Sequence, residues 1–237
     1  MKQLFLFNIL SVAITLCSCG QNQAISINKK NTADIKAGGN CEGCEAIYES
    51  PVSFKQLNNI DTLPDFNEPG PKIEISGIIF KADGKTPAAN VVLYIYHTNQ
   101  NGLYPKKGSE QGWAKRHGYI HGWIKTDHTG FYKFYTLVPA SYPNSNNPKH
   151  IHPTIKEPGI SEYWIDEFLF DDDPLLPAAE RNKLNPVGGI GVLKTVFTNG
   201  MLHAKRNIIL GLNVKDYPWR MLRIDLLLLF NYLLKEL

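Results

Sequence analysis

Short apolar runs rich in Ile, Val, Tyr and Phe recur along the chain from residue 72 onward. Runs of this composition are typical of β-strands. Turn residues separate them, for example Asp83-Gly84 and the segment 127–130, which reads DHTG. The pattern predicts strands at Ile73–Lys81, Asn90–Thr98, Tyr119–Thr126, Phe131–Val138, Lys149–Ile155, Glu162–Phe170, Gly191–Phe197 and Lys205–Val214.

Several short strands separated by turns indicate an all-β protein built as a single β-sandwich with long loops. We assign this domain to residues 71–216. The only helix predicted inside it is a turn or two around Pro177–Lys183.

The N-terminal residues have a different pattern. Residues 1–18 contain an apolar stretch that is too short to span a membrane, and they are typical of a secretory signal peptide. The sequence Leu16-Cys17-Ser18-Cys19 resembles the bacterial lipobox, so Cys19 is expected to be lipidated and to anchor the protein to a membrane of the bacterial cell envelope. Plain secretion is the alternative.

Residues 19–70 are predicted to be a lipidated tether and an N-terminal extension. Residues 20–40 are polar and show neither strand nor helix periodicity. They are followed by a pair, Cys41 and Cys44, that is expected to form a local structural bridge in an exported protein or, alternatively, to be redox-active. A zinc site would need a second such pair.

Residues 217–237 are rich in leucine and are predicted to form a short C-terminal helix. Its uninterrupted apolar part is too short to cross a bilayer. Three arrangements stay open: the helix docks on the sandwich, pairs with a second copy in a homodimer, or lies at the membrane surface.

Composition is that of an ordinary folded protein, with 43% hydrophobic and 20% charged residues. The 25 basic and 22 acidic residues give a net charge of +3, and no block of Lys and Arg stands out. Nucleic acid is therefore excluded as the expected partner.

Two histidines suggest a metal site. His150 and His152 are two positions apart on a predicted strand, so their side chains project from the same face. Two imidazole nitrogens on one face make a suitable pair of metal ligands.

The surrounding sequence resembles the intradiol ring-cleavage dioxygenases, non-haem ferric enzymes that open catechols between their two hydroxyl groups. Residues 77–104, GIIFKADGKTPAANVVLYIYHTNQNGLY, are similar to the opening hairpin of that family and end on a ligand tyrosine, Tyr104. Residues 125–143, KTDHTGFYKFYTLVPASYP, are similar to a second family segment that contains another ligand tyrosine, Tyr142. The HIH sequence supplies the two histidine ligands of the family.

The resemblance implies an Fe(III) cofactor, a catecholic substrate and O2, with a muconate-type diacid as product. It implies that Tyr104 stays on the metal, whereas Tyr142 is displaced by substrate and acts as a base. The ligand types agree with this, because tyrosinates are hard anionic donors that favour Fe(III) over Fe(II).

Two positions depart from the family pattern within the catalytic site. Asn147 stands where the family usually has an arginine that stabilises the bound catecholate, and Glu167 stands where it has a glutamine. Loss of the arginine removes a cation from a site that handles anions. Lys149 or Arg116 could supply the missing charge, a point that the sequence alone does not decide.

Two other functions stay open. Some turns, such as the one in residues 82–91, also resemble transthyretin-like and carboxypeptidase regulatory domains, which are non-catalytic binding modules. Alternatively, the chain is a degenerate family member that binds iron or catechols, for example siderophores, without cleaving them.

Overall fold

The computed structural model describes residues 27–219. The predicted signal peptide, Cys19 and residues 220–237 of the predicted C-terminal helix lie outside the described residues. Within the described part, we find no helix with the length and apolar character needed to cross a membrane.

The described residues form two β-sheets with short helical segments. The α-helices are α1 (Ala114–His117) and α2 (Ala178–Arg181), and two 3₁₀ helices span Cys44–Glu49 and Phe54–Gln56. The strands are β1 (Ile60–Thr62), β2 (Lys72–Phe80), β3 (Val92–His97), β4 (His121–Lys125), β5 (Phe131–Leu137), β6 (His150–Lys156), β7 (Tyr163–Trp164), β8 (Phe168–Phe170), β9 (Val192–Leu193), β10 (Val196–Thr198), β11 (Met201–Lys205) and β12 (Ile208–Ile209).

The first sheet has the strand order β1-β5-β2-β11-β10, and β12 also pairs with β2. The second sheet has the order β4-β3-β6-β8-β9, and β7 also pairs with β6. In the second sheet β3 runs antiparallel to both β4 and β6, and Tyr96 of β3 lies opposite His152 of β6.

The core lies between the two sheets. Alternate residues of the strands point into it, as the strand period requires, including Ile73 and Ile75 of β2 and Leu93 of β3, all fully buried. The rings of Phe134 and Phe168 meet edge to face across the two sheets, 5.8 Å apart. The all-β sandwich predicted from the sequence is therefore confirmed.

Three of the predicted strands are each divided between two strands in the structure. The run Glu162–Phe170 splits into β7 and β8, because the backbone N–H of Asp166 donates to the carbonyl of Val187 and its carboxylate accepts from the N–H of Val187. The run Gly191–Phe197 splits into β9 and β10, which belong to different sheets. In the run Lys205–Val214, Lys205 is the last residue of β11, and the other strand residues are the two of β12.

The helix prediction is confirmed for α2 but is incomplete. It missed α1 and both 3₁₀ helices, which are too short to show helical periodicity.

The segment before residue 71 contributes to the folded body. Strand β1 pairs in parallel with β5, and the 3₁₀ helix Cys44–Glu49 buries Ile47 and Tyr48 against β3. The expectation that residues 20–40 lack structure is wrong at Ile35, which forms a β-bridge with Ile160. This segment therefore covers the outer face of the second sheet.

Cys41 and Cys44 are joined by a disulfide bond, with their Cα atoms 5.6 Å apart. The bond closes a loop at the start of the 3₁₀ helix Cys44–Glu49. The expected local bridge is present.

Candidate metal centre

Strand β6 places two imidazoles on the outer face of the second sheet. His150 and His152 alternate with Ile151, which faces the inter-sheet core, and their Nε2 atoms lie 3.0 Å apart. Tyr96, opposite His152 on β3, stacks its ring on the His152 imidazole at 4.6 Å between centroids. The stack holds that imidazole in one orientation.

Two tyrosines from loops complete the cluster. Tyr104 follows β3 and Tyr142 follows β5, and their phenol oxygens lie 2.5 Å apart. The Tyr104 oxygen is 2.8 Å from Nε2 of His152, and the Tyr142 oxygen is 3.1 Å from Nε2 of both histidines. Ligand bonds to a transition-metal ion are about 2 Å long, so donor atoms separated by less than about 4 Å fit around one ion.

A close contact between two backbones brings the tyrosines together. Gly102 has φ +72°, and a Cβ atom added there would lie 2.0 Å from the carbonyl oxygen of Ser141. The Thr98 hydroxyl also donates to the carbonyl of Ala140, at 2.6 Å. Only glycine combines this backbone conformation with this approach. Gly102 precedes Tyr104 by two residues in the sequence, but the sequence alone does not reveal this contact with Ser141.

Hydrogen bonds on the far side of each imidazole orient the histidines. Nδ1 of His150 donates to the carbonyl oxygen of Pro148 at 2.6 Å, and Nδ1 of His152 lies 3.3 Å from a carboxylate oxygen of Glu167. Neither a carbonyl nor a carboxylate can donate, so both Nδ1 atoms carry the proton. Both Nε2 lone pairs therefore point at the tyrosine oxygens, as metal ligation requires.

The electrostatics of the site match a cation. Burial raises the pKa of Tyr104, and the hydrogen bond with Tyr142 adds to the rise. Burial also raises the pKa of Tyr142, and burial together with His152 lowers the pKa of His150. Without a cation both phenols keep their protons and the His150 imidazole is neutral, whereas a bound metal ion favours the phenolates. Two phenolates and two neutral imidazoles fit a hard trivalent ion such as Fe(III).

Residues 50–184 match the family model described as Dioxygenase. The chain belongs to the intradiol ring-cleavage dioxygenases. This confirms the family to which the tyrosine and histidine motifs pointed.

Two named relatives and a solved structure are similar to this chain. Catechol 1,2-dioxygenase 2 of Acinetobacter lwoffii is 29% identical over 194 residues, covering 66% of this chain and 67% of the relative. The protocatechuate 3,4-dioxygenase beta chain of Burkholderia cepacia is 27% identical over 130 residues, covering 48% and 55%. The chain thus spans about half to two thirds of the length of these relatives. A solved catechol 1,2-dioxygenase from Acinetobacter sp. ADP1 has 21% identity and a TM-score of 0.49, covering 65% of this chain and 57% of that one.

A cleft of about 1100 Å³ opens in front of the four donor atoms. Tyr142, His150 and His152 line it, whereas Tyr104 does not. The disulfide loop 40–44 forms part of its lining, as do residues of the segment 177–192 that contains α2. The sequence did not predict this contribution from the N-terminal segment.

The two departures from the family pattern both lie in this cleft. Asn147 is an exposed part of its lining, and its backbone N–H donates to the Ser145 hydroxyl. Glu167 is half-exposed and contacts His152. Burial would raise the pKa of Glu167, but the hydrogen bond from His152 and nearby positive charge lower it overall, so the carboxylate is ionised.

Neither cation expected to replace the family arginine is free to do so. Lys149 lies 3.0 Å from a carboxylate oxygen of Asp172, and Arg116 pairs with Glu42. Each of the two side chains has a carboxylate partner, and neither is part of the described cleft lining.

Proposed function

We propose that this protein is a ferric intradiol dioxygenase that opens a catecholic ring between its two hydroxyl groups, consumes O2 and releases a muconate-type diacid. The observation that carries the proposal is the set of four donor atoms, 2.5–3.1 Å from their neighbours, with both histidine lone pairs aimed at the tyrosine oxygens. When held by these four residues, Fe(III) would take both catecholate oxygens as ligands and supply the redox chemistry through which the ring reacts with O2.

The positions of the two tyrosines support different roles, with Tyr142 displaced by substrate and Tyr104 kept as a ligand. Tyr142 lines the cleft, where a substrate hydroxyl can approach its oxygen, and Tyr104 is not part of the lining. The Tyr142 phenolate oxygen is therefore placed to accept the proton of the catechol hydroxyl that displaces it. Tyr104 and the two histidines would remain as the ligands that hold the metal.

A second candidate function is iron or catechol binding without cleavage. It is favoured by Asn147, which has no charge, and by the engagement of Lys149 and Arg116 with carboxylates elsewhere. A non-catalytic transthyretin-like module has less support, because such a module does not require four metal-binding side chains to converge.

Oxygen uptake with catechol, hydroxyquinol and protocatechuate tests cleavage against binding. We expect the iron-loaded wild type to consume oxygen and to show a burgundy tyrosinate-to-iron absorption.

Tyr142→Phe should keep iron with a shifted colour and turn over at least about a hundredfold more slowly, since it loses the proton acceptor. Asn147→Arg should raise the rate or tighten catecholate binding.

The matched control is Tyr135→Phe on β5, whose ring packs on Phe66, away from the cleft lining. It should leave colour and rate unchanged. Fully iron-loaded wild type and Asn147→Arg proteins that consume no oxygen with any of the three substrates would rule out their cleavage and support the binding function.

We also propose that the protein is anchored to a bacterial envelope membrane through a lipid on Cys19. The lipobox-like sequence Leu16-Cys17-Ser18-Cys19 supports lipidation of Cys19. Acyl chains supply most of the binding energy of such anchors. Cys19→Ser should therefore move the protein from the membrane fraction to the soluble envelope fraction, measured by immunoblot after fractionation. A variant that stays with membranes would place the anchor elsewhere in the chain.

A further inference from the structure

The cleft in front of the donor atoms carries an excess of negative charge. The ionisable side chains that line it among the described residues, apart from Tyr96, Tyr142 and the two histidines, are Glu42, Asp166, Glu167, Glu180, Arg181 and Lys183. Four carboxylates against two cations leave a net charge of −2 on these side chains. Substrate charge should therefore matter for binding.

Both of these cations are already paired with carboxylates. Arg181 forms an ion pair with Asp171, and Nζ of Lys183 lies 3.0 Å from a carboxylate oxygen of Asp166. Neither offers an uncompensated positive charge to an anionic substrate.

Two carboxylates in the lining are only weakly compensated. The Glu167 and Glu180 side chains are 45% and 44% exposed. Glu180 lies 3.8 Å from Lys183, beyond hydrogen-bond distance, and Glu167 is paired with the His152 imidazole rather than with a lysine or arginine of the described lining. Both can therefore attract a cation in the cleft.

A buried arginine beneath the cleft does not change this conclusion. Arg206 donates to the backbone carbonyls of Asp166 and Gly189, and its guanidinium covers the ring of Phe168. Gly191 of the cleft lining stands next to it, since a Cβ there would lie 3.6 Å from the guanidinium carbon. Arg206 offsets part of the negative charge, but it is 3% exposed and cannot reach a ligand.

An aromatic side chain lies on the same face as the donor histidines. Trp164 pairs with Thr154, which follows His152 by two residues on β6, so the three side chains share one face. The separation along the strand is about 7 Å. Trp164 is 41% exposed and lines the cleft, and an exposed indole face attracts cations.

We propose, on the basis of the function proposed above, that the substrate is a catechol with a short side chain that ends in a positive charge, as in an aryl-alkyl amine. The ring hydroxyls occupy the donor set, and the ammonium group lies among Glu167, Glu180 and Trp164. A catechol that carries a carboxylate is repelled by the same two glutamates, and the described lining offers it no unpaired cation.

Three catechols of matched shape test this proposal: 4-(2-aminoethyl)catechol, 4-propylcatechol and 3-(3,4-dihydroxyphenyl)propionate. The dissociation constant of each is measured on ferric protein without oxygen, from the catecholate-to-iron absorption. A unit charge about 7 Å from a partner in a partly hydrated cleft changes affinity about tenfold. We expect the amine to bind about tenfold more tightly than the propyl compound, and the propionate about tenfold more weakly.

Two variants locate the effect. Glu180→Gln removes one cleft carboxylate that does not contact a metal ligand and should reduce the amine preference about threefold or more. The matched control is Glu45→Gln, which removes an exposed carboxylate next to the disulfide loop but outside the cleft lining. It should leave the preference unchanged.

The outcomes separate this inference from the function on which it rests. Equal affinity for the three compounds, or tighter binding of the propionate, overturns the charge preference but leaves ring cleavage intact if 4-propylcatechol supports oxygen uptake. Failure of all three to bind ferric protein overturns the proposed function as well.

Discussion

Replacing His150 by alanine is expected to lower iron affinity by more than about a hundredfold and to abolish oxygen uptake. His150 contributes one of four donor atoms, and its Nε2 lies 3.0 Å from Nε2 of His152 and 3.1 Å from the Tyr142 oxygen. Its proton is fixed on Nδ1 by the Pro148 carbonyl, so the lone pair is already directed at the metal position. Residues that only orient a metal ligand contribute about 10- to 100-fold to metal affinity, so loss of a ligand itself should cost more.

Iron content by mass spectrometry of purified protein and oxygen uptake with catechol measure both effects. The matched control is His128→Ala, an exposed histidine in the turn between β4 and β5 that should leave both unchanged. Because His150 is largely buried, thermal unfolding of the metal-free variants shows whether the fold is kept. A folded His150→Ala protein with a full iron content would exclude His150 as a ligand.

Replacing Gly102 by alanine is expected to destabilise the protein by about 3 kcal/mol and to weaken iron binding. Alanine is strained at φ +72°, and its methyl group would lie 2.0 Å from the carbonyl oxygen of Ser141, next to Tyr142. The contact is with backbone, so it cannot be relieved by a side-chain rotation. The loops that carry Tyr104 and Tyr142 must separate, which moves one oxygen away from the other donors.

Gly159→Ala is a control for the backbone strain alone. Gly159 has φ +77°, close to that of Gly102, but no atom lies within 4 Å of its added Cβ. Alanine there should cost about 1 kcal/mol and leave iron binding unchanged. Urea unfolding and iron titration of the two variants measure the difference. Similar losses of stability with unchanged iron affinity in both would show that the contact between the two loops does not position the tyrosines.

Much of the site could be predicted before the structure was known. The strand that carries His150 and His152 has period 2, which by itself places both imidazoles on one face. The two tyrosines could not be found by periodicity, since they lie in loops, and were predicted from their motifs alone. Their convergence depends on contacts between residues 98–102 and 140–141, which are distant in sequence.

The boundaries of the folded body were less predictable. Residues 41–62 contain few long apolar runs, yet they cover the outer face of the second sheet through Ile47 and Tyr48 and add β1 to the first sheet. The structure of this segment depends on the surface that it covers, which local sequence does not reveal. The same reason explains the division of Glu162–Phe170, where bonds between Asp166 and Val187 replace pairing along the strand.

The sequence by itself determined the all-β class, the positions of the long strands and the chemical types of the four donor side chains. These features follow from local alternation of apolar residues and from short motifs. The tertiary structure alone decided which groups surround the donors: the disulfide loop in the lining, the pairing of Lys149 and Arg116 with carboxylates, and the exposed Glu167 and Glu180. Charge at a site is the sum over side chains brought together from distant parts of the chain, so it depends on three-dimensional distances that no sequence pattern encodes.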